Sequence, residues 1–355
     1  MNETSAGERF RFGVLGTGNI ARQFTEGVKG SQSSEVVAVA SRDAERASAF
    51  AAANGVPVSY GSYEELLADA SVEGVYVSLP NAGHREWTEK ALRAGKHVLC
   101  EKPMAVDAAE AEAMFAVAEQ TGCRLMEAFM YRCHPLMDAV AERVRSGLIG
   151  ELRMIRSSFC YATTPDTGNI RFVKELAGGA LMDIGCYCVN FSRFMAGVGL
   201  GLEGSAEPAV VHGVGKVHAG TGVDEYASGV MRFGEGERAI TAQFACGMTV
   251  QADNAAMLCG TTGYLVVPVP WKPPASGGEY VFKGQTPPKM DGGGKPPKPG
   301  VYKVKAPSPL FGQEADVFAV AVRSGGALSM PVTASDTVGN MRVLDDLRGQ
   351  VLGGG

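Results

Sequence analysis

Residues 13–21 of the chain read GVLGTGNIA, a G-x-G-x-x-A pattern that follows an apolar, strand-like run at 10–15 and opens a helix-like stretch. In such a loop Gly16 permits a tight turn, Gly18 lets the backbone approach a pyrophosphate, and Ala21 allows the helix to pack closely. The free N–H groups and the positive dipole end of the helix favour bound phosphate. This stretch therefore predicts a dinucleotide-binding loop.

The segments around this loop alternate between strand-like and helix-like patterns. Apolar runs at 36–40, 74–79 and 97–100 are separated by stretches of helical pattern. Such alternation is typical of βαβ units, and continuous apolar strands suit a parallel sheet buried on both faces. Methyltransferases use a similar glycine loop, so the dinucleotide assignment depends on the whole series. We predict a Rossmann domain with a doubly wound parallel sheet over residues 8–127.

The pattern changes after residue 127. A helical stretch at 179–195 is followed by consecutive strand-like runs with short turns, which predict a mostly antiparallel sheet. We therefore predict an α/β protein in which the Rossmann domain is joined to a C-terminal α+β domain, residues 128–355, with an open, mainly antiparallel sheet. The strands expected in this domain are 210–218, 226–233, 238–245 and 249–258, and its closing helices are 311–324 and 335–352.

Residues 268–309 stand apart, because they are crowded with Pro, Gly and Lys. This composition predicts an exposed, partly extended insertion within the second domain. The alternative is an arm that contacts another subunit. On the first interpretation, the chain should tolerate trimming between Gly277 and Pro299.

The bulk composition excludes several classes of function. The 355 residues carry a formal net charge of −5, which argues against nucleic acid as a partner, and no apolar run is as long as a membrane span. Residues 1–11 lack the hydrophobic core of a secretory signal, so we expect a cytoplasmic protein without a membrane partner. The eight cysteines suit buried, reduced thiols. Cys186 and Cys188 face apart on a helix, and we predict no metal site.

The end of the second predicted strand distinguishes the two nicotinamide cofactors. An acidic residue there binds the ribose hydroxyl of NAD and repels the 2′-phosphate of NADP. This chain has Ser41 and Arg42 at that point, with Arg46 one helical turn later. A hydroxyl and two guanidinium groups suit a phosphate. We predict NADP, with NAD as the alternative if Asp43 binds the ribose or if the arginines are plain surface residues.

Four further segments carry a resemblance to a known family. They read PNAGH at 80–84, EKP at 101–103, YRCHP at 131–135 and GGALMDIGCY at 178–187. In this order they resemble the glucose–fructose oxidoreductase / inositol dehydrogenase (Gfo/Idh/MocA) family, over residues 10–195. The resemblance implies an oxidoreductase that binds a nicotinamide dinucleotide in its first domain and takes most of its catalytic residues from the second.

The resemblance also implies a role for individual residues. Lys102 matches the lysine of the E-K-P motif, beside the nicotinamide and the reacting oxygen, and Asp183 matches the aspartate that holds the substrate. Tyr187 stands where many members carry His, whereas sugar and dihydrodiol dehydrogenases carry Tyr. We expect these three residues to be catalytic, and Arg132 to contact the substrate together with Asp183 and Tyr187. The residues expected to bind the cofactor are Gly16, Thr17, Gly18, Asn19, Ile20, Ser41, Arg42, Arg46, Leu79, Pro80, Asn81, His84, Glu101 and Lys102.

Elementary chemistry supports a pair formed by Tyr187 and Lys102. Proton transfer to an alcohol oxygen needs a group whose pKa is near the working pH. A free tyrosine, with a pKa of about 10, is too basic by roughly 2 to 3 units, or about 3–4 kcal/mol. A lysine cation about 4 Å away at an effective dielectric near 20 supplies about 4 kcal/mol. Asp183 lies four residues before Tyr187, on the same face of a helix. The alternatives are a helix-capping Asp183 and a packed, structural Tyr187.

The predicted reaction is reversible hydride transfer between NADP and a hydroxyl or carbonyl of a sugar or polyol, as in a D-xylose or D-glucose 1-dehydrogenase. One alternative is a dihydrodiol dehydrogenase or a reductase of dicarbonyl or anhydro-sugar substrates. Another class is an NAD-dependent glycoside hydrolase that oxidises its substrate only transiently. A non-catalytic dinucleotide-binding protein is a further alternative. We also expect a homo-oligomer, a dimer or tetramer formed through the C-terminal sheet.

Overall fold

The computed structural model describes residues 9–166, 168–287, 296–325 and 330–353. The contacts within it divide the chain into two compact units. The first unit runs to Ala105 and includes Ala109–Cys133 and Pro307–Ala334; the second comprises Val106–Ala108, His134–Ala306 and the chain from Ser335 onward. The helices are α1 (Asn19–Val28), α2 (Ala44–Asn54), α3 (Tyr63–Ala68), α4 (His84–Arg93), α5 (Ala108–Thr121), α6 (Pro135–Arg145), α7 (Cys186–Leu200), α8 (Leu310–Arg323) and α9 (Ala334–Gly353). None of these described helices has the length and apolar character needed to cross a membrane.

The first unit is built on a parallel sheet of six strands. They are β1 (Phe10–Leu15), β2 (Ser34–Ala40), β3 (Val58–Tyr60), β4 (Gly74–Val77), β5 (His97–Glu101) and β6 (Leu125–Ala128). Their spatial order is β3-β2-β1-β4-β5-β6, the order of a Rossmann fold. Val14, Val75 and Leu99 on the central strands are fully buried, as expected for strands covered on both faces. The predicted Rossmann fold is confirmed.

The second unit is built on a mixed, mostly antiparallel sheet of eight strands. They are β7 (Leu152–Cys160), β8 (Pro208–Val217), β9 (Asp224–Phe233), β10 (Ile240–Gly247), β11 (Ala256–Gly260), β12 (Gly263–Val267), β13 (Gly278–Gly284) and β14 (Gly300–Val304). Their spatial order is β14-β13-β12-β11-β7-β10-β9-β8. Strands β7 and β10 pair in parallel, and the other neighbours pair antiparallel. The mainly antiparallel sheet predicted for this part of the chain is confirmed.

The two faces of the eight-stranded sheet differ. Helix α7 packs on β7 and β10, and a Cβ on Gly213 or Gly229 would meet the Leu347 side chain of α9, so these helices cover one face. The opposite face is called the outer face below. Residues that are paired across neighbouring strands form a row on this face, which crosses β8, β9, β10, β7, β11 and β12 in that order. Along β9 buried and exposed residues alternate, as a strand with one covered face requires. The row consists of His212, Val230, Gln243, Arg156, Met257 and Val266.

The division of the chain differs from the predicted ranges 8–127 and 128–355. Residues 307–334 group with the first unit. Their helix α8 packs along α1, and Phe318 lies with its ring 5.9 Å from the ring of Phe12. A segment from the end of the chain therefore completes the core of the first unit. Periodicity along the sequence cannot reveal such a return.

The strand predicted at 249–258 is shorter in the structure, and this part of the prediction is wrong. Only Ala256–Gly260 forms a strand, β11. Asn254 has a φ of 55°, in the left-handed region that asparagine tolerates better than most residues. Its side-chain amide bonds the backbone N–H and carbonyl of Cys160, at 2.7 and 2.9 Å. These bonds take the place of strand pairing before β11 begins.

The prediction of an exposed insertion at 268–309 also needs correction. Strands β13 and β14 lie within it, and the side chains of Trp271, Tyr280 and Phe282 are at most 3% exposed. The segment 278–284 alternates buried and exposed positions, a signal that the Pro, Gly and Lys composition masks. Residues 288–295 of the predicted insertion lie outside the described residues. Trimming from Gly277 would remove a paired strand, so tolerance is no longer expected.

Candidate active site

The glycine loop after β1 has the geometry that a dinucleotide requires. Gly16 has a φ of +106°, and a Cβ there would lie 3.1 Å from the carbonyl oxygen of Ser78. Gly18 precedes α1 with no side-chain cap, and a Cβ on it would meet no protein atom within 4 Å. The first turn of α1 contains no acidic residue. The loop therefore presents uncapped backbone N–H groups and a positive dipole end, which fit a pyrophosphate.

The end of β2 holds the residues expected to distinguish the cofactors. Asp43 caps α2, since its Oδ1 accepts hydrogen bonds from the Glu45 and Arg46 backbone N–H groups at 3.0 and 3.1 Å. This role counts against Asp43 as the ribose acid. Arg42 lies within hydrogen-bonding reach of the Tyr63 phenol; burial raises the pKa of Tyr63, and the nearby guanidinium groups of Arg42 and Arg46 oppose that rise. Both arginines therefore lie at the strand end, beside a common aromatic neighbour.

His84 has a different position from the one expected of a cofactor ligand. Its side chain is 1% exposed, and its two ring nitrogens lie 2.9 Å from the Pro103 carbonyl oxygen and 2.8 Å from the Leu79 carbonyl oxygen. Burial lowers the pKa of His84, and the charge of Lys102 lowers it further. His84 thus ties the loop after β4 to the loop after β5. We interpret it as a residue that positions the E-K-P loop.

Two buried acids, Glu101 and Glu314, interact with each other in the first unit. Glu101, at the end of β5, accepts hydrogen bonds from the Tyr76 hydroxyl and from the Lys102 backbone N–H. Glu314 on α8 is fully buried, and neither of its carboxyl oxygens has a hydrogen-bond partner among the described residues. Burial raises the pKa of Glu314 well above its usual range, and the charge of Glu101 adds to this rise. Burial at this position therefore favours the protonated form of the Glu314 carboxyl.

Asp183 lies in a network of the second unit. Its Oδ2 accepts a hydrogen bond from the Tyr161 hydroxyl at 2.6 Å and another from Arg171 Nε at 3.0 Å. Burial raises the pKa of Tyr161 above its usual range, and the carboxylate of Asp183 raises it further, so the phenol remains a donor. The guanidinium of Arg171 balances the charge of Asp183. Asp183 is thus oriented by two donors that sequence reasoning did not identify.

The segment that carries Asp183 is not a regular α-helix. Residues Leu181–Gly185 form a π-helical turn that leads directly into α7, where Tyr187 is the second residue. The sequence predicted one continuous helix with Asp183 and Tyr187 four positions apart on one face. The π turn inserts an extra residue in the turn, and such turns are frequent at functional sites. The relative direction of the two side chains is therefore set by this turn.

Aromatic rings surround Tyr187. The ring of Phe159 stacks on that of Trp271, with centroids 5.7 Å apart and planes 9° apart. Tyr187 meets Phe159 and Trp271 edge-on at 5.3 and 6.0 Å. The indole N–H of Trp271 donates to the Ser158 carbonyl at 2.8 Å. These contacts fix the Tyr187 ring by packing and give the second unit an aromatic wall next to the π turn.

Some residues of the candidate site were missed by sequence reasoning, and one expected residue has another position in the structure. Tyr161 and Arg171 lie 22 and 12 residues before Asp183, with no motif that joins them. Trp271 lies inside the segment predicted to be exposed. Arg132, expected at the substrate, is 8% exposed and donates to the Pro331 carbonyl at 2.7 Å within the first unit. One signal was available for Trp271, because one of only two tryptophans in the chain is seldom left in a solvated loop.

The predicted catalytic residues divide between the two units. Lys102 belongs to the first unit, and Asp183 and Tyr187 belong to the second. Among the described residues, no group of three His, Cys, Asp or Glu side chains is arranged to hold a metal ion. The Rossmann sheet and the glycine loop of the first unit are typical of a dinucleotide-binding oxidoreductase, and the second unit carries the Asp183 carboxylate and the Tyr187 phenol.

Comparison with known proteins identifies the family. Residues 10–129 match the model of an oxidoreductase family with an NAD-binding Rossmann fold, and residues 137–266 match the GFO/IDH/MocA C-terminal domain. Together these models cover more than half of the chain. The protein belongs to the Gfo/Idh/MocA oxidoreductase family, as the sequence motifs predicted.

Individual relatives are enzymes with related chemistry. The chain is 41% identical over 228 residues to a D-xylose 1-dehydrogenase (NADP(+)) of Haloferax volcanii, covering 64% of this chain and 67% of that one. It is 38% identical over 267 residues to trans-1,2-dihydrobenzene-1,2-diol dehydrogenase of Mus musculus, covering 74% and 76%. A 3-ketoreductase from Actinomadura kijaniata, solved with NADP and TDP-benzene, is similar in structure, with a TM-score of 0.80, 31% identity, and 97% and 98% of the two chains covered.

Proposed function

We propose that the protein catalyses reversible hydride transfer between NADP and a ring or chain hydroxyl of a sugar or polyol, with the C1 hydroxyl of an aldose as the first candidate. The observation that carries this proposal is the Asp183 carboxylate, held by Tyr161 and Arg171 one helical turn from Tyr187. A fixed carboxylate beside a phenol suits a substrate that has a reacting hydroxyl next to a second hydroxyl. The D-xylose dehydrogenase among the relatives supports an aldose.

The proposed mechanism gives each residue of this chain one task. The bound nicotinamide supplies the hydride acceptor. Tyr187 removes the proton from the reacting hydroxyl, and the charge of Lys102 lowers the cost of ionising Tyr187. Asp183 accepts a hydrogen bond from the neighbouring hydroxyl and so orients the substrate. Because Arg171 balances the charge of Asp183, the second unit favours an uncharged substrate.

A dihydrodiol is the second candidate substrate. The partly exposed ring of Phe159, which stacks on the buried ring of Trp271, suits the flat face of an unsaturated ring. The mouse relative is a dihydrodiol dehydrogenase. Nicotinamide absorbance should therefore be followed with a panel of aldoses, polyols, trans-dihydrodiols and glycosides, each with NADP and with NAD. Turnover of an aldose supports the first candidate. Cleavage of a glycoside without a net change in nicotinamide absorbance would contradict both candidates. It would indicate a glycoside hydrolase that oxidises its substrate only transiently.

The preference for NADP is expected to depend on Arg42. Arg42→Asp should weaken NADP binding by about tenfold to a hundredfold, since it removes a charge-assisted contact and places an acid at the 2′-phosphate. NAD binding should change little, because the diphosphate loop is unaltered. Fluorescence titration with both cofactors measures this. Lys29→Asp, the same charge reversal at the far end of α1, is the control and should leave the ratio unchanged. Tighter binding of NAD than of NADP by the unmodified protein would contradict the proposal.

We also propose that the protein forms a homo-oligomer through the outer face of the eight-stranded sheet. The face lines a concavity of about 550 Å³ and exposes Val214 and Val230 at 74% and 49%. Val230→Glu should lower the molecular mass measured by light scattering to that of one chain, because a charge there is costly to bury. Val320→Glu, at a similarly exposed valine on α8, is the matched control. An unmodified protein that scatters as a single chain would refute the proposal.

We propose further that the protein works in the cytoplasm. The eight cysteines are free thiols, and a reducing compartment maintains that state. Burial raises the pKa of Cys100 and Cys188, so these thiols are poorly reactive. Cell fractionation tests the location directly.

A further inference from the structure

A buried carboxylate from another part of the second unit holds the start of the segment that carries Asp183. Asp224, the first residue of β9, is 2% exposed. Its Oδ2 accepts a hydrogen bond from the Leu181 backbone N–H at 2.7 Å, and the Ala180 backbone N–H also interacts with this carboxyl. The first N–H groups of a helix have no partners within the helix, and an acid there also matches the helix dipole. Asp224 therefore caps this segment from a strand more than 40 residues later.

The glycine pair before the segment is required by two close approaches. Gly179 has a φ of +118°, and a Cβ on it would lie 2.1 Å from Asp224 Oδ1. A Cβ on Gly178 would lie 2.4 Å from the Arg171 carbonyl oxygen, the same carbonyl to which Gly179 donates its N–H at 2.9 Å. The two glycines thus admit the capping carboxylate on one side and the backbone of Arg171 on the other. The first contact leads to the cap of the segment that carries Asp183, and the second leads to the residue whose guanidinium bonds the Asp183 carboxylate.

The capped segment contains the π turn, Leu181–Gly185. If this turn relaxed to an α-helix, its register would change by one residue, which rotates a side chain by about 100°. Asp183 lies inside the turn, whereas Tyr187 lies beyond it in α7. Relaxation would therefore turn the Asp183 carboxylate away from its direction relative to Tyr187. The anchor at Leu181 opposes such a change, because it fixes the backbone at the first residue of the turn.

We propose that Asp224 is a positioning residue for the reaction: by capping Ala180 and Leu181 it preserves the π turn and so holds the Asp183 carboxylate in place for the substrate hydroxyl. Gly179 is the second component, because only glycine admits the cap. A local Ser or Thr would satisfy the same N–H groups without burying a charge, which is the usual arrangement at a helix start. The inference rests on the proposed function for the identity of the hydroxyl that Asp183 binds.

The test compares Asp224→Ala and Asp224→Asn with the unmodified protein. Asp224→Ala should raise the KM for the substrate by about tenfold or more, the factor for weakening one hydrogen bond to a charged group, and should leave NADP affinity unchanged. Asp224→Asn keeps an acceptor oxygen, so its KM should lie between those of Asp224→Ala and the unmodified protein. Hydrogen–deuterium exchange of residues 180–187 should become faster in Asp224→Ala. The control is Asp345→Asn, which removes a charge that accepts the Ala108 N–H in the same unit and should alter only the melting temperature.

If Asp224→Ala does not fold, Gly179→Ala is the second test variant. It keeps the Asp224 carboxylate, but the added methyl group displaces that carboxylate from the Leu181 N–H. A folded Asp224→Ala or Gly179→Ala protein with unchanged exchange at 180–187, or with faster exchange and an unchanged KM, overturns the proposal. If the unmodified protein turns over no aldose, polyol or dihydrodiol, the proposed function fails. The exchange measurement then still decides whether Asp224 anchors the turn, since it needs no substrate.

Discussion

Tyr187→Phe should lower the turnover number by about 10²–10⁴, the range for loss of a general acid or base, and Lys102→Met should abolish all but a residual turnover. Both proteins should bind NADP as the unmodified protein does, because the Gly16–Gly18 loop and the uncapped end of α1 hold the phosphates. The measurement is steady-state turnover with the best substrate of the panel, together with cofactor titration. Tyr280→Phe is the matched control, since this buried phenol of the second unit bonds Arg143. It should retain turnover.

The turnover of the double variant, Lys102→Met with Tyr187→Phe, shows whether the two residues act as a coupled pair or independently. If Lys102 acts mainly by lowering the pKa of Tyr187, the combined loss should be far smaller than the product of the single losses. Any residual activity of Lys102→Met should need a higher pH, because on the proposed mechanism the phenol would lose the cation that favours its ionised form. Turnover of Tyr187→Phe within a few-fold of the unmodified protein would remove Tyr187 from the mechanism and leave Lys102 as the acid–base group.

Glu314→Gln should make the protein more stable at neutral and alkaline pH relative to the unmodified protein. Burial and the charge of Glu101 raise the pKa of Glu314 in the folded state. Between the unfolded pKa, near 4.5, and the raised folded pKa, the folded protein holds a proton that the unfolded chain releases. The stability contributed by this proton is full below the lower value and is lost as the pH rises, by up to about 1.4 kcal/mol per pH unit.

Urea unfolding between pH 5 and 8 measures this effect. The free energy of unfolding of the unmodified protein should fall relative to that of Glu314→Gln as the pH rises, because glutamine cannot ionise. Glu119→Gln, on the exposed side of α5, is the control and should keep the pH dependence of the unmodified protein. Parallel curves for Glu314→Gln and the unmodified protein would show that Glu314 does not hold a proton across this range.

The elements that could be predicted from the sequence are those with local signals. The glycine loop, the apolar parallel strands and the alternating strands of the second unit have periodicities of their own. Asp183, Tyr187 and Lys102 lie in contiguous motifs, so the amino-acid sequence alone is enough to propose them as site residues. The site prediction for these three residues stays a prediction, which the substitutions above test.

The remaining features depend on contacts through space. Tyr161 follows the end of β7 and Arg171 lies in a short 3₁₀ turn, and no local sequence motif identifies either residue as a partner of Asp183. Trp271 and β13 were hidden because composition outweighed alternation in a segment rich in Pro and Gly. The Asp43 carboxylate could bind a ribose hydroxyl, but it accepts hydrogen bonds from the first backbone N–H groups of α2 instead. The same side chain can suit two tasks, and only its partners decide between them.

The first unit acquires α8 only after residues 134–306 have been made. During synthesis the parallel sheet therefore emerges without the helix whose Phe318 ring meets those of Phe10 and Phe12. Until α8 has been synthesised, part of the apolar surface of the sheet is exposed. Such exposure slows folding and favours aggregation or the binding of a chaperone. A fragment that ends at Cys133 would keep every strand of the nucleotide unit and still lack part of its core. To express the first unit alone, residues 307–334 should therefore be joined to the N-terminal side of Phe10, which gives a circularly permuted form of this unit.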